Sequence, residues 1–380
     1  MTHKQHVRTG IEALRASGFA ALRGKRVGLL TNLNAVDGNL VSTYDIFRTA
    51  PEVNLTTLFS PEHGLSAALA DGETIASSTD PRTGVPIYSL YGDTEHPTAD
   101  MFSNVDMVVV DSQDIGVRYY TFTWTMSHML EAAGEHGIEI IILDRPNPLG
   151  GQASGMLLEE QFTSLVGRYP VPTQPGITMG EMARMFNATW NKTPANLSVI
   201  ACEGYQRDML WTDTGLSFVP PSPNMSHLIT AQHYPGSCLV EGTSLSEGRG
   251  TALPFEIVGA PGIDGRALAD ALNQQGWEGV RFRPHIFKPS TSKYAGELCG
   301  GVQAHITDLN VYRPLKVWLG VLAIIYQHQP FAWNDHFERL IGTDKARTLI
   351  ETGASLNDLF AEADAFCKAF DQARQPYLMY

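Results

Sequence analysis

A chain of 380 residues with 43% hydrophobic and 18% charged residues has material for two domains and none of the bias of a disordered protein. Its formal charge of −13 argues against non-specific binding to nucleic acid or to an anionic membrane surface, while leaving room for an anionic small substrate met by one local Arg or Lys. Four scattered cysteines with no Cys-x-x-Cys pair indicate neither a zinc site nor a disulfide framework. Residues 1–6 lack the apolar core of a secretory signal, and no apolar run reaches the roughly 20 residues that span a bilayer. The expected setting is the cytoplasm with reduced thiols, or the periplasm or exterior if a leader has been trimmed.

Taken in order, residues 8–23 show helical spacing of Ile11, Leu14 and Phe19, and Gly24 closes the segment. A buried strand follows at 26–31, then a helix over 40–49 and a strand over 53–59. Residues 85–90 contain Pro86 and read as a short strand near an edge. Met107-Val108-Val109-Val110 is continuous in apolar residues, as a strand buried on both faces must be. Helices over 121–136 and 179–189 alternate with strands at 138–143 and 197–201.

This alternation predicts an α/β chain: a Rossmann-like, mostly parallel sheet domain over 1–237, followed by a smaller α+β domain over 238–380. In the second domain the pattern predicts helices at 265–275, 314–328, 344–351 and 355–373, and strands at 279–284 and 301–307. The first strand runs into Thr31-Asn32-Leu33-Asn34 with no Gly-x-Gly-x-x-Gly and no phosphate loop, which argues against dehydrogenases and P-loop enzymes.

Chemistry collects behind the strands. The 53–59 strand runs into Glu62 and His63; the 107–110 strand into Asp111, Gln113, Asp114, Arg118 and Tyr119; the 138–143 strand into Asp144, Arg145 and Asn147. In a parallel sheet these clusters converge on one edge, where ligands bind. Pro220-Pro221-Ser222-Pro223 is a rigid lead-in to Asn224. Residues 241–251 gather Glu241, Glu247 and Arg249 among three glycines, as a ligand-binding loop or a flexible connector.

Two glutamates on separate loops suit glycoside hydrolysis, one protonating the leaving oxygen and the other activating water, attacking, or stabilising the cation. Arg118 or Arg249 could clamp a substrate carboxylate, or Arg118 could simply pair with Asp114 four residues away. Tyr119 and its aromatic neighbours Tyr120, Phe122 and Trp124 could line a sugar subsite or belong to the core. A metal site from oxygen ligands ranks below these readings; no metal and no cofactor are expected. A non-catalytic sugar binder with the same cleft is the competing class, and oligomeric state leaves no trace in the sequence.

Six runs in order resemble one family: residues 59–64 (FSPEHG), 111–120 (DSQDIGVRYY), 143–151 (LDRPNPLGG), 220–225 (PPSPNM), 234–236 (YPG) and 241–256 (EGTSLSEGRGTALPFE). They are similar to the exo-β-N-acetylmuramidases of the NamZ type, long listed only as a domain of unknown function, and the likeness extends from about residue 10 to the C-terminus. The resemblance implies an active-site cleft between the two domains and release of terminal β-1,4-linked N-acetylmuramic acid (MurNAc) from the non-reducing end of peptidoglycan fragments. It places the principal catalytic glutamate on Glu62 and a second carboxylate on Glu247. The expected substrate-binding set is His63, Asp111, Asp114, Arg118, Tyr119 and Asn147, with Asn224, Glu241 and Arg249 from the later runs. Ser244 stands where the family usually has asparagine, and Pro175 where a histidine commonly precedes Gly176.

Overall fold

A computed structural model describes residues 6–69, 72–73 and 76–380. The residues read for a leader lie, but for His6, outside them. Two compact units emerge: residues 1–152, 175–223 and 371–380 form the first, and 153–174 with 224–370 the second.

The first unit is built on seven strands: β1 (Arg26–Thr31), β2 (Asn54–Ser60), β3 (Ser78–Thr79), β4 (Pro86–Ser89), β5 (Met107–Asp111), β6 (Glu139–Leu143) and β7 (Asn196–Ile200). Their order is β3-β4-β2-β1-β5-β6-β7, and every pairing is parallel except the two-residue β3 against β4. The chain builds outward from β1 through β2 and β4, then returns to the other side of β1 with β5. That reversal is the switch point at which open α/β sheets bind ligands. All five residues of β5 are buried, the four apolar ones as their unbroken run requires and Asp111 with them.

The helix Phe122–His136 explains why the sheet can bury itself so thoroughly. Ten of its side chains are buried, Trp124 stacks on Phe186 of the helix Met179–Thr189 at 5.6 Å, and Gly137 ends it in the left-handed conformation. Truncating a ring such as Trp124 to Ala would cost about 3–5 kcal/mol. Met179–Thr189 starts at a capping box, Thr178 with Glu181, that satisfies its first N–H groups.

The second unit carries an antiparallel sheet ordered β8-β10-β9, from β8 (Ile257–Ala260), β9 (Val280–Phe287) and β10 (Cys299–Ile306). Edge strand β9 contains Pro284, whose missing N–H costs nothing on an outer edge. Helices Gly265–Asn273, Pro314–His328, Lys345–Thr352 and Asn357–Arg374 complete the α+β unit the sequence predicts.

Three expectations change. The single helix over 8–23 is a helix Gly10–Ala16 and a short turn Ala20–Leu22, parted by Gly18 and Phe19 at φ 63° and 54°. The two units part at 223/224 instead of 237/238, because Leu228–Ser237 is a helix of the second unit. Pro235 looks like a breaker there, yet it sits in the last turn, and Gly236 lets the helix lie against Pro314 and Trp318 with no room for a Cβ. The units also exchange chain: 153–174 joins the second, and 371–380 returns to the first.

Candidate active site

The strand registers bring the carboxyl ends of the first sheet together: Leu30 lies beside Phe59, Thr31 beside Asp111, Ser60 beside Ser89 and Val110 beside Ile142. One edge therefore carries Glu62 after β2, Tyr91 after β4, Asp111 and Asp114 at and after β5, and Asp144, Arg145 and Asn147 after β6.

Glu62 is half-buried. Its Oε2 accepts the Thr121 hydroxyl at 2.7 Å, and the Gly72 N–H reaches Oε1 at 3.4 Å. Tyr91 also hydrogen-bonds Glu62; burial, and then the nearby carboxylate, push its phenol up. His63 and Gly64 follow at φ 68° and 73°, a left-handed pair that turns the chain sharply at the strand end. For histidine this costs energy, on the order of 1 kcal/mol, and such outliers gather at functional sites. The ring is buried and its Nδ1 lies 2.8 Å from the Leu69 carbonyl oxygen, so the imidazole is fixed beside the glutamate that precedes it.

Asp114 is the second acid here that keeps access to solvent. Oδ1 accepts the Gly116 N–H at 2.6 Å and Oδ2 the Thr123 hydroxyl at 2.9 Å. Gly116 has φ 78°, and a Cβ there would fall 2.1 Å from Asn147 Oδ1, so glycine alone permits this turn. Burial lifts the Asp114 carboxyl to about 6 against the lowering effect of those donors. Tyr120, 6% exposed and hydrogen-bonded to Ser222, is pushed up by burial and by the fields of Asp114 and Glu62.

The neighbouring acids are sealed. Asp111 is 0% exposed, receives Arg145 Nη2 at 2.8 Å and is bonded to the Thr43 hydroxyl. The residue expected to contact substrate is thus engaged in an internal ion pair. Asp144, also at 0%, accepts Thr178, Gly180 and Tyr380 and is lifted to about 6 by burial. Asn147 is buried, donating to the Ile177 carbonyl at 3.0 Å and accepting the Leu149 N–H at 2.9 Å. Arg118 and Tyr119 are each 2% exposed, and burial pulls the Arg118 guanidinium down to about 10.

The second unit holds its own acidic cluster. Arg249 Nε donates to Glu241 Oε1 at 2.9 Å and lies 3.4 Å from Glu247 Oε1. Lys293 Nζ reaches Glu247 Oε2 at 3.0 Å and the carbonyl oxygens of Val240 and Leu245 at 3.1 and 2.9 Å. His336 Nε2 stands 3.9 Å from Glu241 Oε2. Phe255 packs its ring under the Arg249 guanidinium at 5.0 Å and against Tyr234 at 4.8 Å. Glu247, expected as the second catalytic carboxylate, is 2% exposed and shared by two cations. Asn224 is half-buried and opens the second unit.

Tyr91, Thr121, Thr123 and Lys293 were missed in the sequence. The rule that flagged the other strand ends, applied after β4, finds Tyr91. The two threonines open a helix, where hydroxyls are read first as caps. Lys293 lies 46 residues from its carboxylate partner and offers no local signal. Among the described residues, no group of three His, Cys, Asp or Glu side chains is arranged to hold a metal ion, and no helix is long and apolar enough to cross a membrane.

Fold and site together define an open α/β protein with an acidic, hydroxyl-lined cluster at the switch point of its parallel sheet. Family models of the exo-β-N-acetylmuramidase NamZ match residues 27–229 (N-terminal) and 232–380 (C-terminal). The chain is 42% identical to the peptidoglycan β-N-acetylmuramidase NamZ of Bacillus subtilis (strain 168), over 99% of this chain and 92% of that protein. Two crystal structures of DUF1343 family proteins from Bacteroides fragilis also resemble it over 99% of both chains. One is 36% identical with a TM-score of 0.91, the other 32% identical with a TM-score of 0.79. The chain belongs to the exo-β-N-acetylmuramidase NamZ family.

Proposed function

We propose that this protein is an exo-acting glycoside hydrolase that releases terminal β-1,4-linked MurNAc from the non-reducing end of peptidoglycan fragments, with Glu62 as general acid/base. The observation that carries the role of Glu62 is its setting. It stands at the carboxyl end of β2 beside the switch point, keeps solvent access, and is held by the hydroxyls of Thr121 and Tyr91. Hydroxyls can donate to a carboxylate and accept from a carboxylic acid, so they serve a group that changes protonation during the reaction.

His63 orients Glu62 or contacts the sugar. The Arg249 guanidinium, set by Glu241, Glu247 and Phe255, is the candidate partner for the lactyl carboxylate, with Arg118 as the other. Glu247 enters this reading as the anion that fixes Arg249 and Lys293. Asn147 packs against the Gly116 turn, and Tyr119 and Asn224 remain candidates for sugar contacts. Four buried thiols without disulfides support a cytoplasmic setting and a part in cell-wall recycling.

The test is release of free MurNAc from MurNAc–GlcNAc by wild type and by Glu62→Gln. Turnover that collapses in a folded Glu62→Gln protein supports the reading; binding without cleavage by wild type replaces it with a sugar-binding protein. His63→Ala should lower turnover with the fold intact. Neutralising Arg249 should harm MurNAc substrates more than analogues lacking the lactyl acid, and equal losses would remove it from that role.

A further inference from the structure

We propose that Asp114 is the second catalytic carboxylate: it takes the N–H of the substrate's 2-acetamido group while Glu62 protonates the leaving oxygen. This rests on the hydrolase reading above and names a residue for a step that reading leaves unassigned.

Three observations in the first unit carry it. Of the four acids that follow β2, β5 and β6 most closely, Asp111 and Asp144 are 0% exposed and internally bonded, whereas Glu62 and Asp114 keep access to solvent. Glu62 and Asp114 are also held by one short stretch of chain: Thr121 bonds Glu62 at 2.7 Å and Thr123 bonds Asp114 at 2.9 Å, two residues apart at the start of Phe122–His136. Tyr120, immediately before them, feels both charges. The two acids are therefore neighbours in one site, built by one helix start.

The bonding of Asp114 selects its task. Both oxygens are tied to uncharged donors, Gly116 N–H on one side and the Thr123 hydroxyl on the other, and the backbone N–H groups of Thr123 and Ile115 also bear on the carboxylate. An oxygen pinned in this way is a poor nucleophile towards C1, yet as a carboxylate oxygen it still accepts from a donor brought against it in place of a weaker N–H contact. An acetamido N–H is such a donor, and substrates carrying this group can supply their own nucleophile. Burial lifts the Asp114 carboxyl to about 6, so it can hold a proton near neutral pH for the life of an intermediate.

The steps balance. First, the acetamido oxygen bonds to C1 and the bond from C1 to the leaving sugar breaks with its electron pair on the glycosidic oxygen, which departs with that sugar. Glu62 gives the leaving oxygen a proton, and the amide proton passes to Asp114, leaving a neutral oxazoline. Then water adds to C1 and gives its proton to Glu62, the ring bond to the acetamido oxygen breaks, and Asp114 returns its proton to nitrogen.

The experiment uses the 4-nitrophenyl β-glycoside of MurNAc, the anomer first released, and a MurNAc-derived thiazoline as inhibitor. Asp114→Asn should lower kcat about 10²–10⁴-fold with KM changed less than about threefold. The β-anomer should appear first, and the thiazoline should inhibit wild type competitively and bind Asp114→Asn at least about tenfold more weakly. Should Asp114→Asn fail to fold, Asp114→Glu takes its place in the kcat, KM and thiazoline comparisons, and an Asp114→Glu enzyme within threefold of wild type in kcat and thiazoline binding would overturn the assignment. An Asp114→Asn enzyme within threefold of wild type, an α-anomer first, or no thiazoline inhibition would overturn the proposal while the hydrolase reading stands. A wild type that releases no MurNAc would fell both.

Discussion

The two units each gather a pair of acids, and they treat them oppositely. In the first, Glu62 and Asp114 are held by hydroxyls and backbone N–H groups and keep access to solvent. In the second, Glu247 is shared by Arg249 and Lys293, and Glu241 pairs with Arg249. A carboxylate among neutral donors can gain and lose a proton at modest cost. For one locked between cations, the worth lies in where it holds them. Counting acids does not separate the two pairs; their partners do.

The largest expected effect breaks this contrast at its centre. Glu62→Gln should lower MurNAc release by about 10³-fold or more in a folded protein, whereas Glu241→Gln should act mainly on binding, through a loosened Arg249. Separate kcat and KM values for the two variants test this, and equal kcat losses would erase the distinction.

Acid and base dependence should also run in opposite senses. Asp114 and Asp144 are lifted to about 6 in the folded protein, so their contribution to stability is complete below the ordinary aspartate range and is lost as pH rises through about 6. His233 in the second unit is buried at 0% beside Tyr312, and burial lowers it to about 3. Its contribution is complete above about 6.5 and is lost as pH falls towards 3, on the order of 4 kcal/mol across the window. Urea midpoints against pH should show His233→Gln flattening the acid limb and leaving the limb above pH 6 alone.

Lys293→Met should cost about 3 kcal/mol, because it strips one of two cations from a buried carboxylate. Thr121→Val should cost only about 1–2 kcal/mol of stability, yet slow turnover about tenfold by releasing Glu62. Denaturant melts and kcat, measured side by side, separate the two. A Thr121→Val enzyme of normal rate would remove this hydroxyl from the site.

Much of the first unit was legible in the sequence. Its β5 and β6 strands were expected at 107–110 and 138–143 and lie at Met107–Asp111 and Glu139–Leu143, while Met179–Thr189 matches its expected helix at both ends. Apolar period and strand-end polarity are local properties, written within a few neighbouring residues. The two-residue β3 and the four-residue β8 escaped because they are too short to show a period. The helix Leu228–Ser237 escaped because Pro235 and Gly236 look like punctuation until the close approach of Pro314 and Trp318 gives them a purpose.

By itself, then, the sequence determined the alternation of strands and helices, the loops that carry acids, and the motifs that mark the family. Only the tertiary structure decided which acids are sealed in internal ion pairs and which are left half-buried. Asp111 and Asp114 are three residues apart and alike in kind, yet one is sealed against Arg145, 34 residues away, and the other is half-buried among uncharged donors. A side chain's charge state and reach depend on what surrounds it in space, and those surroundings come from distant parts of the chain.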